Sequence, residues 1–371
     1  MIRLLHLQNF KCFENQSLQF RPLTLLSGLN GTGKSSVLQS LLLLRQSYQQ
    51  SLLPSTGLAL NGDLTNIGTA IDALFEGAKE DKIGLDLVLT NEIEGSWCFD
   101  YDREADVLSL ASPPVAYSMY ESSLFRDNFQ YLQAERLGPR RFSEMSDFLV
   151  RQHRQLGPRG EFTAHFLSVF ERSNIPSRNM CHPNTNSLDL FSQVEAWIGE
   201  VCPGIRLLLT PNLDMNTISL QYFFIMGNQV SNKYRPTNVG FGITYTLPVI
   251  VAVLSSVPDS LILIENPEAH LHPSGQAKIG SLLALAASSG IQVVVETHSD
   301  HVLNGIRLAV HDGKLSPDDV QVHFFQRKEQ DGQSLVTSPQ IDRDGRIDKW
   351  PDGFFDEWDK SLEALLEPRD M

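Results

Sequence analysis

Gly28-Leu29-Asn30-Gly31-Thr32-Gly33-Lys34-Ser35 decides the fold. The string satisfies G-x-x-x-x-G-K-[ST] at every position, and each residue type in it has a physical task. Glycines let the backbone curl until successive N–H groups face one anion, and the helix that follows adds its positive end. Lys34 reaches the outer phosphates, while the Ser35 hydroxyl suits a hard cation such as Mg²⁺. Gly28, Asn30, Gly31, Thr32, Gly33, Lys34, Ser35 and Ser36 are therefore the candidate phosphate-binding residues. The flanks agree, because Leu23 to Ser27 reads as a strand and Ser36 to Leu44 as a helix with a broad apolar face.

Working outward, Ile2 to Leu7 and Gln16 to Phe20 read as strands, and Ile83 to Leu89 with Trp97 to Tyr101 extend an antiparallel sheet beside the nucleotide. Periodicity weakens between 111 and 235, where an inserted, mainly helical lobe is expected. The string Leu-Gly-Pro-Arg occurs there twice, at 137–140 and 156–159, which suggests coincidence or paired turns and no repeat architecture. From 236 to 311 the α/β pattern returns: a helix over Ile243 to Val257, a strand over Leu261 to Ile264, a helix over Ser274 to Ser288 and a strand over Ile291 to Val295. Buried strands alternating with helices imply a parallel sheet covered on both faces. Residues 312–371 form an acidic C-terminal tail with a strand at Val320 to Gln326, a hairpin and an amphipathic helix from Phe354 to Leu366. The N-terminal part of the nucleotide domain then spans 1–110.

Two of these strands end in chemistry. Leu261 to Ile264 delivers Glu265 to the edge where the sheet opens onto the phosphate loop, a suitable place for a cation ligand. Val293 to Val295 delivers Glu296 and then His298, which can hydrogen-bond a γ-phosphate and the attacking water. Asn266 follows Glu265, and an amide is no general base, so hydrolysis is expected to be slow and the base must be sought elsewhere. Glu268, beyond Pro267, is preferred to Glu296 for that role.

Composition narrows the class. The chain has 371 residues, 42% apolar and 20% charged, as in a globular protein. Its net charge is −14, and the stretch from Asp312 onward, with 8 basic and 15 acidic residues, carries half of that excess. Such a chain is no general nucleic-acid binder, so contact with nucleic acid would need a local patch. Arg136, Arg140, Arg141, Arg151, Arg154 and Arg159 are the candidates, and pairing with an acidic tail is the other use for them. Cys12, Cys98, Cys181 and Cys202 are scattered, which suits a reducing cytoplasm, and Cys181-His182 lacks the second ligand pair of a zinc site. The longest apolar run, Leu247 to Val257, is too short to span a membrane. Asp342-Arg343-Asp344-Gly345 reads as a hairpin turn, not a nuclease element.

The chain resembles the RecF, SMC and OLD-type ATPases of the ABC class, in particular a small bacterial subgroup with a Trp-Pro-x-Gly-Phe-Phe segment, here Trp350 to Phe355. The matching pieces are Asn9 to Phe13, the phosphate loop, Gln133 to Arg140, Asn238 to Thr244, Glu265 to Pro273 and Glu296 to Ser299. This resemblance implies an ABC-type fold with a mixed sheet, an inserted mainly helical lobe and a short α+β tail. It implies ATP and Mg²⁺ as ligands, with Lys11 near the nucleotide and Ala269 to Pro273 coupling the two ATP sites. Asn238, Gly240 and Gly242 would reach the γ-phosphate of a second copy in a homodimeric ATP sandwich. An ATP-gated switch that acts through a nuclease or toxin partner, in anti-phage defence, is the expectation. A RecF-like clamp on duplex DNA is the alternative.

Overall fold

The computed structural model describes residues 1–327 and 334–366. The first strands are β1 (Ile2–Phe10), β2 (Phe13–Gln19) and β3 (Leu23–Gly28), and β3 runs into the phosphate loop and α1 (Lys34–Gln49). Then come β4 (Gly57–Ala59), the single turn α2 (Ala70–Ala73), β5 (Lys82–Leu89), β6 (Glu94–Asp100), β7 (Val107–Ser109) and β8 (Phe129–Leu132). A lobe follows, built from β9 (Ser143–Glu144), α3 (Thr163–Phe170), α4 (Leu190–Val201), β10 (Ile205–Asn212), β11 (Thr217–Met226) and β12 (Gln229–Val230). The chain closes with α5 (Phe241–Ser255), β13 (Leu261–Glu265), α6 (Pro273–Ser288), β14 (Gln292–Glu296), α7 (Asp300–His311), β15 (Val320–Arg327), β16 (Ser334–Thr337) and α8 (Glu357–Leu366).

The central sheet has the order β16-β15-β3-β14-β13-β8, parallel except for the antiparallel pairing of β16 on β15. A second, antiparallel sheet has the order β2-β1-β5-β6. Period-two alternation explains how the central strands serve two cores. Leu25, Ile262, Ile264, Val293 and Val295 join α5, α6 and α7 on one face, whereas Leu26, Leu261, Leu263 and Val294 join α1 and the antiparallel sheet on the other. The buried Gln292 stitches the two sheets together, its amide accepting from the Ile2 N–H at 2.8 Å and donating to the Ile2 carbonyl at 2.7 Å.

Two expected boundaries shift. Strand β8 lies within the stretch assigned to the inserted lobe, yet it pairs in parallel with β13 and completes the central sheet. The lobe proper starts after Leu132 and carries a small antiparallel sheet beside its helices. The C-terminal tail is not an appendage either. Strand β15 pairs along the whole of β3, and Phe354 is fully buried against Phe324 with ring centroids 5.0 Å apart. Long-range pairing and burial of this kind are invisible to local periodicity. The two Leu-Gly-Pro-Arg strings do lie side by side, with the Leu137 N–H donating to the Arg159 carbonyl at 2.9 Å. Asp342 caps a turn as expected, its carboxylate accepting from the N–H groups of Asp344 and Arg346.

His323 shows how firmly β15 is built in. Its Nε2–H donates to the Gln19 carbonyl at 2.7 Å, which leaves Nδ1 to accept from the Ser338 hydroxyl at 2.9 Å. Burial pushes this imidazole down to about 4 from its ordinary 6.5. The unfolded chain takes up a proton that the folded one refuses, so stability present above pH 6.5 is lost as the pH falls toward 4. Urea unfolding between pH 7 and 4 should show the wild type losing about 2–3 kcal/mol more than His323→Gln. Parallel curves would disprove the assignment.

Candidate functional site

The site forms where the carboxyl ends of β3, β14 and β13 lie side by side. The phosphate loop is clasped from two directions, by backbone at Gly28 and by side chains at Gly33. A Cβ on Gly28 would overlap the Phe325 carbonyl oxygen of β15, and one on Gly33 would lie 2.7 Å from the Phe13 ring and against Cys12. Both positions also have positive φ, so glycine is required twice over. The Asn9 to Phe13 motif is the tight β1–β2 turn that backs the loop. Lys11 there donates to Gln39 on α1 at 2.7 Å and borders a cleft of about 900 Å³ beside the loop, together with Asp72, Lys79 and Arg327. That volume accommodates a nucleotide's base and ribose.

Lys34 is 3% exposed, not solvent-facing as a free phosphate contact would be. Its ammonium donates to the carbonyls of Gly28 and Leu29 at 2.9 and 2.7 Å. The Ser35 hydroxyl donates to Glu296 Oε1 at 2.9 Å. Ser36, in the first turn of α1, is buried against the Cys12 side. Asn30 and Gly31 form the exposed crown of the loop, while Thr32 is buried and its hydroxyl donates to the Leu29 carbonyl at 2.7 Å.

Glu265 and Glu296 occupy facing positions on adjacent parallel strands. Glu265 has both oxygens engaged, Oε1 by the Tyr131 hydroxyl at 2.8 Å and Oε2 by the Ala134 N–H at 3.0 Å. Burial and the neighbouring Glu265 carboxylate push the Tyr131 phenol far above its ordinary range, so it remains a donor. Glu296 is 5% exposed, and burial first, then Glu265, raise it to about 7 against the opposing pull of Ser35 and Lys34. Its Oε2 is buried without a partner, and so is Glu268 Oε2. Glu268 Oε1 accepts from the His298 backbone N–H at 2.8 Å, which ties the turn after β13 to the end of β14. Burial and Lys34 hold the His298 imidazole below its ordinary range, so it is neutral near pH 7. Two orphaned carboxylate oxygens beside a lysine and a serine hydroxyl form a hard-oxygen donor set that fits a divalent cation and phosphate.

The Asn238 to Thr244 segment leads into α5, with Gly240 as its N-cap. The two glycines differ from each other. Gly242 packs on its own chain, where a Cβ would lie 2.5 Å from the His270 carbonyl oxygen, whereas nothing lies within 4 Å of a Cβ on Gly240. Asn238, Gly240 and the half-exposed Phe241 are thus the parts of the segment open to another molecule.

The six arginines meet different surroundings. Arg136 is 1% exposed, and its guanidinium donates to the carbonyls of Gln133, Glu265 and Asn266 at 3.0, 2.7 and 2.6 Å. It is a brace behind the carboxylates and not a surface for nucleic acid. Arg151 pairs with Asp147 at 2.6 Å and Arg159 with Glu135 at 3.2 Å, while Arg154 lies over the Phe166 and Phe170 rings. Arg140, Arg141 and Arg154 are the exposed members with no ion pair among the described residues. His182, next to Cys181, is bonded to Glu200 at 3.0 Å, and no cluster of metal-binding side chains occurs among the described residues. Nor is any described helix long and apolar enough to cross a membrane. Tyr131 and Ala134 are neighbours of the site that the sequence reading missed, and Arg136 was given a different role; the Gln133 to Arg140 match signals Ala134 and Arg136, and nothing local signals Tyr131. Arg136→Lys should cost about 2–4 kcal/mol in urea unfolding, because a single ammonium nitrogen cannot stand in the places of both Nη1 and Nη2, which reach the three carbonyls between them. An unchanged midpoint would refute the bracing role.

Comparison with known proteins bears on the fold and the family. No curated protein matches. Among solved structures, the chain is similar to an Smc head bound to the C-terminal winged-helix domain of ScpA, at 15% identity and TM-score 0.56, covering 92% of this chain and 98% of that one. It is also similar to the Smc head domain with an extended coiled coil, bound to the C-terminal domain of ScpA, from Pyrococcus furiosus, at 13% identity and TM-score 0.53, covering 99% of each chain. These likenesses establish the ABC-type head fold. A family of unknown function, DUF3696, matches residues 315–365. Residues 23–304 match the family described as "AAA domain, putative AbiEii toxin, Type IV TA system", and the chain belongs to that family of P-loop ATPases.

Proposed function

We propose that this ATPase is a nucleotide-dependent switch in which two copies close around two ATP molecules and hydrolysis reopens them. The observation that carries the reading is the convergence of the phosphate loop, Glu265, Glu268, Glu296 and His298 at adjoining strand ends. When bound, Mg²⁺ would neutralise phosphate charge and polarise the γ-phosphate. Ser35 and Glu296 are the groups to hold it, since Glu296 keeps a bare oxygen. Glu265, with both oxygens engaged by Tyr131 and Ala134, would add negative field to the site. Glu268 serves as proton acceptor in place of Asn266. One of its oxygens is steadied by the His298 N–H and the other is buried without a partner, left to take up a proton. Asn266 has a left-handed backbone with φ 45°, a conformation asparagine tolerates better than glutamate.

The second copy would present Asn238 and Gly240 to the γ-phosphate, with the positive end of α5 behind them. Output through an effector partner, nuclease or toxin, in anti-phage defence is the biological setting we favour. The family's description as a putative toxin of a type IV system supports an effector-coupled role. Helix α8, acidic and with Trp358, Leu362, Leu365 and Leu366 all exposed, is the surface for that partner.

Three variants test the reading. Glu268→Gln should retain ATP affinity and lose about 100-fold or more in turnover. Glu296→Gln should instead raise the Mg²⁺ concentration needed for turnover. Sedimentation should show ATP with Mg²⁺ tightening self-association of Glu268→Gln, and Gly240→Trp should abolish that response. Wild-type turnover in Glu268→Gln would remove it as the base, and an ATP-indifferent assembly would argue against the sandwich.

A further inference from the structure

Strands β15 and β16 fall within the segment matched by the family of unknown function, and they touch the phosphate loop at its crown. The Gly31 carbonyl accepts from Arg327 twice, from Nε at 3.2 Å and from Nη2 at 3.0 Å. The next carbonyl, that of Thr32, accepts from the Ser334 hydroxyl at 2.8 Å. Across a planar trans peptide the C=O and the following N–H point in opposite directions. Holding the carbonyls of Gly31 and Thr32 outward on the hairpin therefore turns the N–H groups of Thr32 and Gly33 to the inner side of the loop, where phosphate binds.

Within the loop itself, the restraint on these two peptides is the buried Thr32 side chain, whose hydroxyl bonds the Leu29 carbonyl. They are flanked by Gly31 at φ 70° and Gly33 at φ 106°, and glycine crosses between positive and negative φ at low cost. The atom nearest to a Cβ on Gly31 is Arg327 Nη2 itself, at 3.6 Å. Lys34 braces different carbonyls, those of Gly28 and Leu29.

We propose that Arg327 and Ser334 are positioning residues of the nucleotide site: the C-terminal hairpin clamps the loop so that its N–H groups are pre-aimed at the polyphosphate end of a nucleoside triphosphate. The clamp rests on the nucleotide-binding reading above and gives the C-terminal segment a role that loop motif and fold leave unassigned. Because it acts on the phosphate cradle and not on the base, it bears equally on any polyphosphate.

Titration calorimetry with ATP and with inorganic tripolyphosphate, both with Mg²⁺, separates the possibilities. Arg327→Ala should weaken both ligands by the same factor, about tenfold, and Ser334→Ala by about three- to fivefold. Arg327→Lys, which keeps one donor for the Gly31 carbonyl, should recover part of the loss. Unchanged affinities in folded variants would overturn the clamp, as would weakening for ATP alone, which would put Arg327 on the base. If Arg327→Ala does not fold, Ser334→Ala, lacking a single hydroxyl, decides by the same comparison. A wild type that binds neither ligand overturns the nucleotide reading and the clamp with it, whereas a wild type that binds both beside unaffected variants overturns the clamp alone.

Discussion

The phosphate loop keeps its shape because atoms from elsewhere in the chain, the Phe325 backbone and the Cys12 and Phe13 side chains, approach it more closely than a Cβ would permit. Gly28 lies against the Phe325 carbonyl and Gly33 against Cys12 and Phe13. The loop is thereby wedged between the β1–β2 turn and strand β15. The antiparallel sheet on one side and the C-terminal strand on the other are walls of the same site. A glycine in such a motif is usually credited to the ligand; here two of them answer first to the protein's own packing.

Electrostatics then sets the character of the site. Parallel pairing of β13 with β14 forces Glu265 and Glu296 into register, and Lys34 and Ser35 enter from α1. Burial and the neighbouring Glu265 charge raise Glu296 to about 7, a state that a bound cation would reverse. Tyr131, Ala134 and Arg136, from the stretch after β8, keep Glu265 and the turn behind it in place. Two carboxylates on neighbouring strands thus take different parts. One is fully hydrogen-bonded and fixed, and the other is half satisfied and poised for a ligand.

Much of this was legible in the order of residues. The loop string, the strands ending in Glu265 and Glu296, the helices around them and the Asp342 turn all fall within one or a few residues of where local pattern puts them. What misled was exposure. Arg136 belongs to a run of arginines that reads as a surface patch, yet it is buried; Gly242 belongs to a motif that reads as open, yet it packs on His270. Charge type and motif membership carry no information about which face of the fold a side chain meets.

By itself the sequence determined the class of chemistry and the sequence of elements, because φ preferences, glycine freedom and period-two or helical apolar spacing act within a few residues of one another. Only the tertiary structure decided the partners. Ser35 and Glu296 are separated by 261 residues, Arg136 and the Glu265 carbonyl by 129, and Arg327 and the Gly31 carbonyl by 296. A hydrogen bond forms between whichever buried donor and acceptor the strand order brings within about 3 Å. That order, with β15 and β14 on either side of β3, is written in no local stretch of the chain.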